Sequence, residues 1–542
     1  MPLQGQPLVC PAFGWNMRRR GDQMEAKDLR KLLGLTAILA ALLCMISTDR
    51  IAAASTQGVK PDCRGSLQAL IDAASPGSTV HTAGHCIYRQ TVVITKPLTL
   101  IAGPGAEIRG SDVWRGWRRE GRYWIHGGLP RFSSSGECAS GTRRCLWPEQ
   151  VFLDGRPLRQ VAENPHPGQF AVKDGSGTRY VVLADDPRGH VVEVSVRRQW
   201  VVGAADGVTI KGFTMRDAAN ERDMGALTNA DVNDPNYYHS HWTIEDNKLS
   251  DAAAADLVVK GNHNEIIDNN IYRGGQLGIH LGGNYNLVQG NRIHDNNTEH
   301  FDPFWEAGGI KAAYQVKGLR FIGNTVYDNK GVGVWCDINC SGAVYKNNRI
   351  FDNAGPGILF EISRGALISH NVIWNNGWHY AGRSWSAGIV LSNSSNVTAR
   401  DNTLAWNASG LSVISMDRGN PTWNKVKNIK IRHNLFFAKN GYSLAWIQQG
   451  GWSGGVLYDP SSHNSGQNDR YWYPSPEKSS ISDWSTDLRY RWGPIGHGNH
   501  GVLLHLAAFN RTPGESDGRY LSNTRERQLT SSLGIPVRPP AH

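Results

Sequence analysis

An alternating apolar segment ending in asparagine recurs through the middle of this 542-residue chain, and nothing else in it limits the fold so strongly. In order the copies read "WTIEDNKL", "NEIIDNNI", "NLVQGNRI", "LRFIGNTV", "AVYKNNRI", "ALISHNVI", "NVTARDNTL" and "IKIRHNLF". The marker asparagines are Asn247, Asn270, Asn291, Asn324, Asn348, Asn371, Asn402 and Asn434, spaced by 23, 21, 33, 24, 23, 31 and 32 residues. Four of the seven spacings lie between 21 and 24, and the longer ones read as the same unit carrying an inserted loop. Such a period, built from short strands without a helical pattern, predicts a parallel β solenoid. Leucine-rich repeats share the period, but their leucine frame is missing. Each coil would hold about three short strands and rise by one strand spacing, roughly 4.8 Å. The asparagines would stack and hydrogen-bond the turn backbone, a structural role.

Composition agrees. With 61 Gly, 25 Pro and only 19% charged residues, the chain is turn-rich and too apolar for disorder. The segment "GSLQALIDAASPGSTVHTAGHCIYRQTVVITKPLTLIAG" reads as a capping helix followed by first strands. On these features the chain resembles the right-handed parallel β-helix proteins of the pectate-lyase-like superfamily, over roughly residues 60–110 and 200–445. The resemblance implies an all-β, right-handed, single-stranded parallel β-helix with an N-terminal capping helix. It leaves activity open, because such helices carry lyases, hydrolases, epimerases and plain binding proteins. Residues 111–200 interrupt the repeat with hairpin-like stretches such as "PEQVFLDGRPLRQV", predicting an inserted β subdomain. The expected division is 1–54 signal peptide, 55–110 N-terminal cap and first coils, 111–200 insert, 201–445 β-helix and 446–542 C-terminal cap and loops.

The N-terminus reads as an export signal. Lys27, Arg30 and Lys31 precede the apolar run "LLGLTAILAALLCMI", and "IAAAS" follows, so cleavage is expected near Ala54, with Met24 a possible true start. The product would be secreted or periplasmic, without a membrane anchor, and monomeric. Six cysteines remain after the signal, and sequence neighbours suggest the pairs Cys63–Cys86, Cys138–Cys145 and Cys336–Cys340, with free buried thiols the alternative. No cysteine or histidine spacing suits zinc, and no metal site is expected. The formal charge of +10 falls to +7 without residues 1–54. Its basic residues are scattered rather than clustered, which argues against nucleic acid.

The second strands of the coils align on a Gly followed by an aliphatic residue: "LVVK", "GIHLG", "GIKAA", "GVWCD", "GILFE" and "GIVLS". Side chains alternate along a strand. If Ile279, Ile310, Val334, Ile358 and Ile389 point inward, so do Leu281, Ala312, Cys336, Phe360 and Leu391. The outward columns then read His280, Lys311, Trp335, Leu359, Val390 and Lys260, Gly282, Ala313, Asp337, Glu361, Ser392. Asp337 and Glu361 thus fall on neighbouring strands, an arrangement that ordinary surfaces avoid. Two carboxylates about 5 Å apart would split their pKa values and supply a nucleophile and a general acid. Asp337 as a turn carboxylate, and Glu361 as a salt-bridge partner of Arg364 or Lys311, are the plainer alternatives.

The segments "VWCDI" and "ILFEIS" are similar to the carboxylate-bearing coils of glycosidase-like β-helix proteins. That implies a secreted glycoside hydrolase cleaving a plant or microbial polysaccharide or its oligosaccharides. Asp337 is expected as nucleophile or base and Glu361 as acid, with Lys311 or Glu306 tuning them. Trp335 offers a flat face for a sugar ring. Two inserted loops are expected to bring His300, Trp305, Trp378, His379, Arg383 and Trp385 to the groove, as substrate-binding residues. His280 reads as a spacer without chemistry. No cofactor is expected for a hydrolase. A polysaccharide lyase or epimerase would instead use calcium and Lys311 as base, although no motif of the Asp-Pro-His-Asp type is present. A non-catalytic binding protein would use the outward Trp335, Leu359 and Val390 as a patch.

Overall fold

The structure is a computed structural model and describes residues 60–536 apart from 134, 380–383, 421, 424–425, 440, 450–455, 476–488 and 496–502. The expected export signal lies outside the described residues. Among those described, no helix is long and apolar enough to cross a membrane.

Three long sheets run the length of the molecule, with 12, 13 and 13 strands, and every coil contributes one short strand to each. One coil passes from Leu287–Gln289 in sheet I to Arg292–His294 in sheet II and Gly308–Ala313 in sheet III. The next coil starts at Arg320–Ile322, back in sheet I. Pairing between successive coils is parallel throughout this stretch. The inward side chains form one continuous core, from Leu67 of the capping helix Leu67–Ala73 to Phe509. Ser66 caps that helix by accepting from the Ala69 N–H.

The asparagines hold the corner between sheets I and II. The backbone N–H of Asn291 donates to Asn324 Oδ1 at 2.9 Å, and the Asn291 side chain donates to the same oxygen at 3.0 Å. The pattern repeats from Asn247 through Asn269, Asn348, Asn371 and Asn402 to Asn434. The second rung is Asn269 rather than the expected Asn270, which instead opens the strand Asn270–Tyr272. Each rung follows a residue with left-handed backbone, such as Asp246 (φ 55°), Asp268 (φ 53°) or His370 (φ 58°). Asp, Asn, His and Gly tolerate that conformation best, which explains why they precede the ladder residue. A second ladder at the corner between sheets II and III runs through Asn296, Asn329, Asn353, Asn376 and Asn407.

Residues 111–195 build a four-stranded and a five-stranded sheet around their own core of Phe170, Val181, Leu183 and Val194. Buried ion pairs of Arg89 and Arg109 with Glu193 pin this subdomain to the first coils. The coils run on past residue 445, where the asparagine spacing is lost, through Ser465–Gln467, Arg470–Trp472 and Tyr490–Ile495. Asp469 takes the asparagine's place there, accepting from the Asn434 N–H at 2.6 Å. The helix Asn523–Ser532 then packs Leu529, with Leu521 and Leu533 on either side of it, over the outer face of sheet II. All three expected disulfides are present: Cys63–Cys86, Cys138–Cys145 and Cys336–Cys340.

Candidate active site

Sheet III sets the register of the candidate residues. His280 pairs with Lys311, Lys311 with Trp335 and Trp335 with Leu359, and Glu361 pairs with Ser392. Asp337 and Glu361 lie one residue beyond the paired Cys336 and Phe360, on adjacent strands. Backbone with positive φ follows each of them, at Ile338 (50°) and Ile362 (48°), so the chain turns away directly after the carboxylate. The Cys336–Cys340 disulfide, fully buried, closes the turn after Asp337.

The outward face of this sheet is not open surface. Trp335, Leu359 and Val390 pack with Val332, Ala387 and Ile414 into a second apolar layer roofed by the inserted loops. Of the expected binding patch, Val390 is fully covered, while Trp335 and Leu359, though buried, still line a cleft. Trp335 is not a free platform either, because the Lys311 Nζ sits 3.8 Å from the centre of its ring.

Lys311 is the hub of the site. Its Nζ donates to the Trp305 carbonyl at 2.8 Å and lies 3.3 Å from Asp337 Oδ2 and 4.0 Å from Glu306 Oε1. Glu306 reaches the hub from the loop 295–307, anchored where Gln276 donates to its carbonyl at 2.9 Å. His280 Nε2 is 3.8 Å from Glu306 Oε1. On the other flank the Arg418 guanidinium forms an ion pair with Glu361 and donates to Ser392 Oγ at 2.9 Å. Trp385, whose indole N–H donates to Gln449 at 3.1 Å, lies under that guanidinium.

Burial raises the Glu306 pKa to about 7, with Asp223 and Asp337 adding to the rise and Lys311 and Lys260 opposing it. Burial also raises Glu361, helped by Asp337 against the pull of Arg418. His280 is pushed down to about 3 by burial and by Lys260 and Lys311, so its ring is neutral. Several buried polar atoms have no hydrogen-bond partner: Asp337 Oδ1, Trp335 Nε1 and both ring nitrogens of His280. Such atoms are costly in a finished interior and suit a site completed by a ligand or water. Beside them opens a cleft of about 270 Å³, lined among others by Phe304, Trp335, Glu361, Trp385 and Arg418. Among the described residues, no group of three or more His, Cys, Asp or Glu is arranged to hold a metal ion.

Asp337, Glu361, Lys311 and Trp335 thus come together as expected from the register, and Glu306 and Trp385 join them from the inserted loops. Trp305 takes part through its carbonyl, while its side chain is 56% exposed. The other expected sugar contacts are placed elsewhere. His300 lines a separate cavity beside Arg144 and Glu299. Trp378 and His379 line another with Asp328, Asp352 and Trp374. Their loop leaves from sheet II, and the Trp378 indole donates to the Trp406 carbonyl, so only its far end reaches sheet III. Arg383 lies outside the described residues. The sequence reading missed Arg418, on a third inserted loop, and Asp223; it placed Lys260 in the Asp337 column without giving it a role, and it dismissed His280. The signal for His280 was present, since it shares a column with Lys311 and Trp335.

The family described as "right handed beta helix region" matches residues 236–404. No curated protein matches the sequence. Among solved structures, XylC in complex with xylose is similar, with 16% identity and a TM-score of 0.60 over 78% of this chain and 84% of that one. The mannuronan C-5 epimerase AlgE4 A-module of Azotobacter vinelandii is more distant, with 10% identity and a TM-score of 0.40 over 83% and 98% of the two chains. The chain has the right-handed parallel β-helix fold of pectate-lyase-like proteins.

Proposed function

We propose that the protein is an exported glycoside hydrolase acting on poly- or oligosaccharides, with Asp337 as nucleophile or base and Glu361 as acid. The observation that supports this most directly is a pair of buried carboxylates on adjacent strands, each with its own cation, of which Glu361 lines a cleft. Lys311 Nζ holds Asp337 through Oδ2 at 3.3 Å, and the second carboxylate oxygen, Oδ1, is buried without a hydrogen-bond partner. Burial and the neighbouring aspartate favour the protonated form of Glu361, as proton donation to a leaving oxygen requires. Adjacent strands lie about 4.8 Å apart at the backbone, which is compatible with the spacing of about 5 Å of retaining enzymes and, with side-chain splay, with the roughly 6.5–9.5 Å of inverting ones. The chemistry as drawn uses no cofactor. Three disulfides support an oxidising compartment. A monomer is proposed; the helix Leu67–Ala73 covers the N-terminal end of the core.

Digestion of a glycan panel tests the reading. Asp337→Asn should abolish release of reducing sugar. Glu361→Gln should abolish cleavage of natural glycosides yet retain measurable activity on aryl glycosides, whose leaving group needs no proton. Full activity in both folded variants would reject the pair. Appearance of an unsaturated product would replace hydrolysis by elimination, with Lys311 as base.

A further inference from the structure

A cavity of about 830 Å³ lies not at Asp337 but between the inserted subdomain and the coils. It falls in the size range of small-ligand sites, about 300–1,000 Å³. One wall is the disulfide loop Cys138–Cys145 with the strands Val151–Leu153 and Arg159–Val161. The other is built from Asp251, Arg273 and the loop 298–300 of the coils.

The charges lining it are unbalanced. Four arginines, Arg143, Arg144, Arg159 and Arg273, face two acids, Asp251 and Glu299. Both acids are already taken. Arg144 pairs with Glu299, and Arg273 grips Asp251 through two hydrogen bonds at 2.8 and 2.5 Å. Arg143 and Arg159 are exposed and have no acidic partner among the described residues. The surplus is felt locally: burial lowers the His300 pKa, and Lys330, Arg144 and Arg159 lower it further. Trp147 adds an aromatic surface to the same cavity.

We propose that this cavity is a second saccharide site that takes a uronate-bearing segment of a glycan, its carboxylates held by Arg143 and Arg159 and a sugar face by Trp147. A guanidinium fork matches a planar carboxylate, and an indole matches the apolar face of a pyranose. The site also has a spatial logic. His300 on its wall and Glu306 beside Lys311 belong to one loop, and the Cys138–Phe301 bridge ties that loop to the subdomain. A polymer held in the cavity is thereby kept next to the cleft.

Calorimetric titration of the full chain tests this with three probes: an oligogalacturonate tetramer, neutral xylotetraose and a sulfated tetrasaccharide. The oligogalacturonate should bind, and its dissociation constant should rise at least tenfold in the Arg143→Ala/Arg159→Ala double variant. Both side chains are exposed, and an unchanged melting temperature will show that the variant is folded. Equal binding of xylotetraose, tighter binding of the sulfated probe, or unchanged affinity in the double variant would overturn the proposal. The Asp337→Asn variant should keep this binding while losing cleavage. The two readings therefore fail separately: absence of hydrolysis leaves the second site standing, and absence of uronate binding leaves the paired acids standing.

Discussion

Lys311 and Asp337 are buried within 3.3 Å of each other, so neither can be removed without stranding its partner. Lys311→Met should cost about 3 kcal/mol or more, since breaking a buried pair leaves an uncompensated charge. The Lys311→Met/Asp337→Asn double variant should recover much of that loss, and urea unfolding of the three variants reads both effects. Glu306 makes a pH prediction. Its folded pKa, about 7, stands above the ordinary value of 4.5. The neutral form therefore favours the fold at low pH, and that contribution is lost as pH rises toward and through 7. Glu306→Gln should flatten the fall in melting temperature between pH 5 and 8. The sequence shows Asp337 and Glu361 because strand alternation and coil spacing are local rules. It does not show Arg418, which reaches Glu361 from a loop two coils on, nor the covering of Trp335. Both follow from how loops fold back, which no period encodes.

The asparagine ladder is the element on which register depends. Asn348→Ala would leave the Asn324 N–H and side-chain amide without their shared acceptor and free the Phe321 carbonyl. A loss of about 2 kcal/mol is expected from such buried unsatisfied groups, measurable by denaturant unfolding. The ladder ends differently. Asp469 Oδ2 and Glu515 Oε1 are both buried without a hydrogen-bond partner, and the two carboxyls act on each other. Burial and Glu515 hold Asp469 well above the ordinary carboxylate range. Its stabilising contribution is thus complete below about pH 4 and declines as pH rises. Asp469→Asn supplies the missing donor and should raise the melting temperature at pH 8 while changing it little at pH 4. The same substitution of Asp for Asn explains why the repeat looked finished near residue 445. The one-residue slip at Asn269 and Asn270 has a similar cause: two adjacent asparagines fit the spacing equally well, and only the left-handed Asp268 before Asn269 separates them.

At the scale of the molecule, the C-terminal segment is a cover. Leu521, Leu529, Leu533 and Ile535 close over Trp374, Trp406 and Phe437 of sheet II, and the Trp406 indole donates to the Pro536 carbonyl at 2.8 Å. Deleting residues 522–542 should expose that aromatic surface, lowering the melting temperature and promoting aggregation that light scattering would detect. The corner between sheets I and II has another consequence. Two residues separate its strands in every coil, from Lys211 and Thr214 to Gln467 and Arg470. Insertions gather instead at 295–307, 375–386 and 416–426, all bordering sheet III. From Lys211 onward the scaffold therefore divides into a metronome, which keeps time from coil to coil, and a margin where sequence can be rewritten. New specificities can be grafted into that margin without retuning the beat.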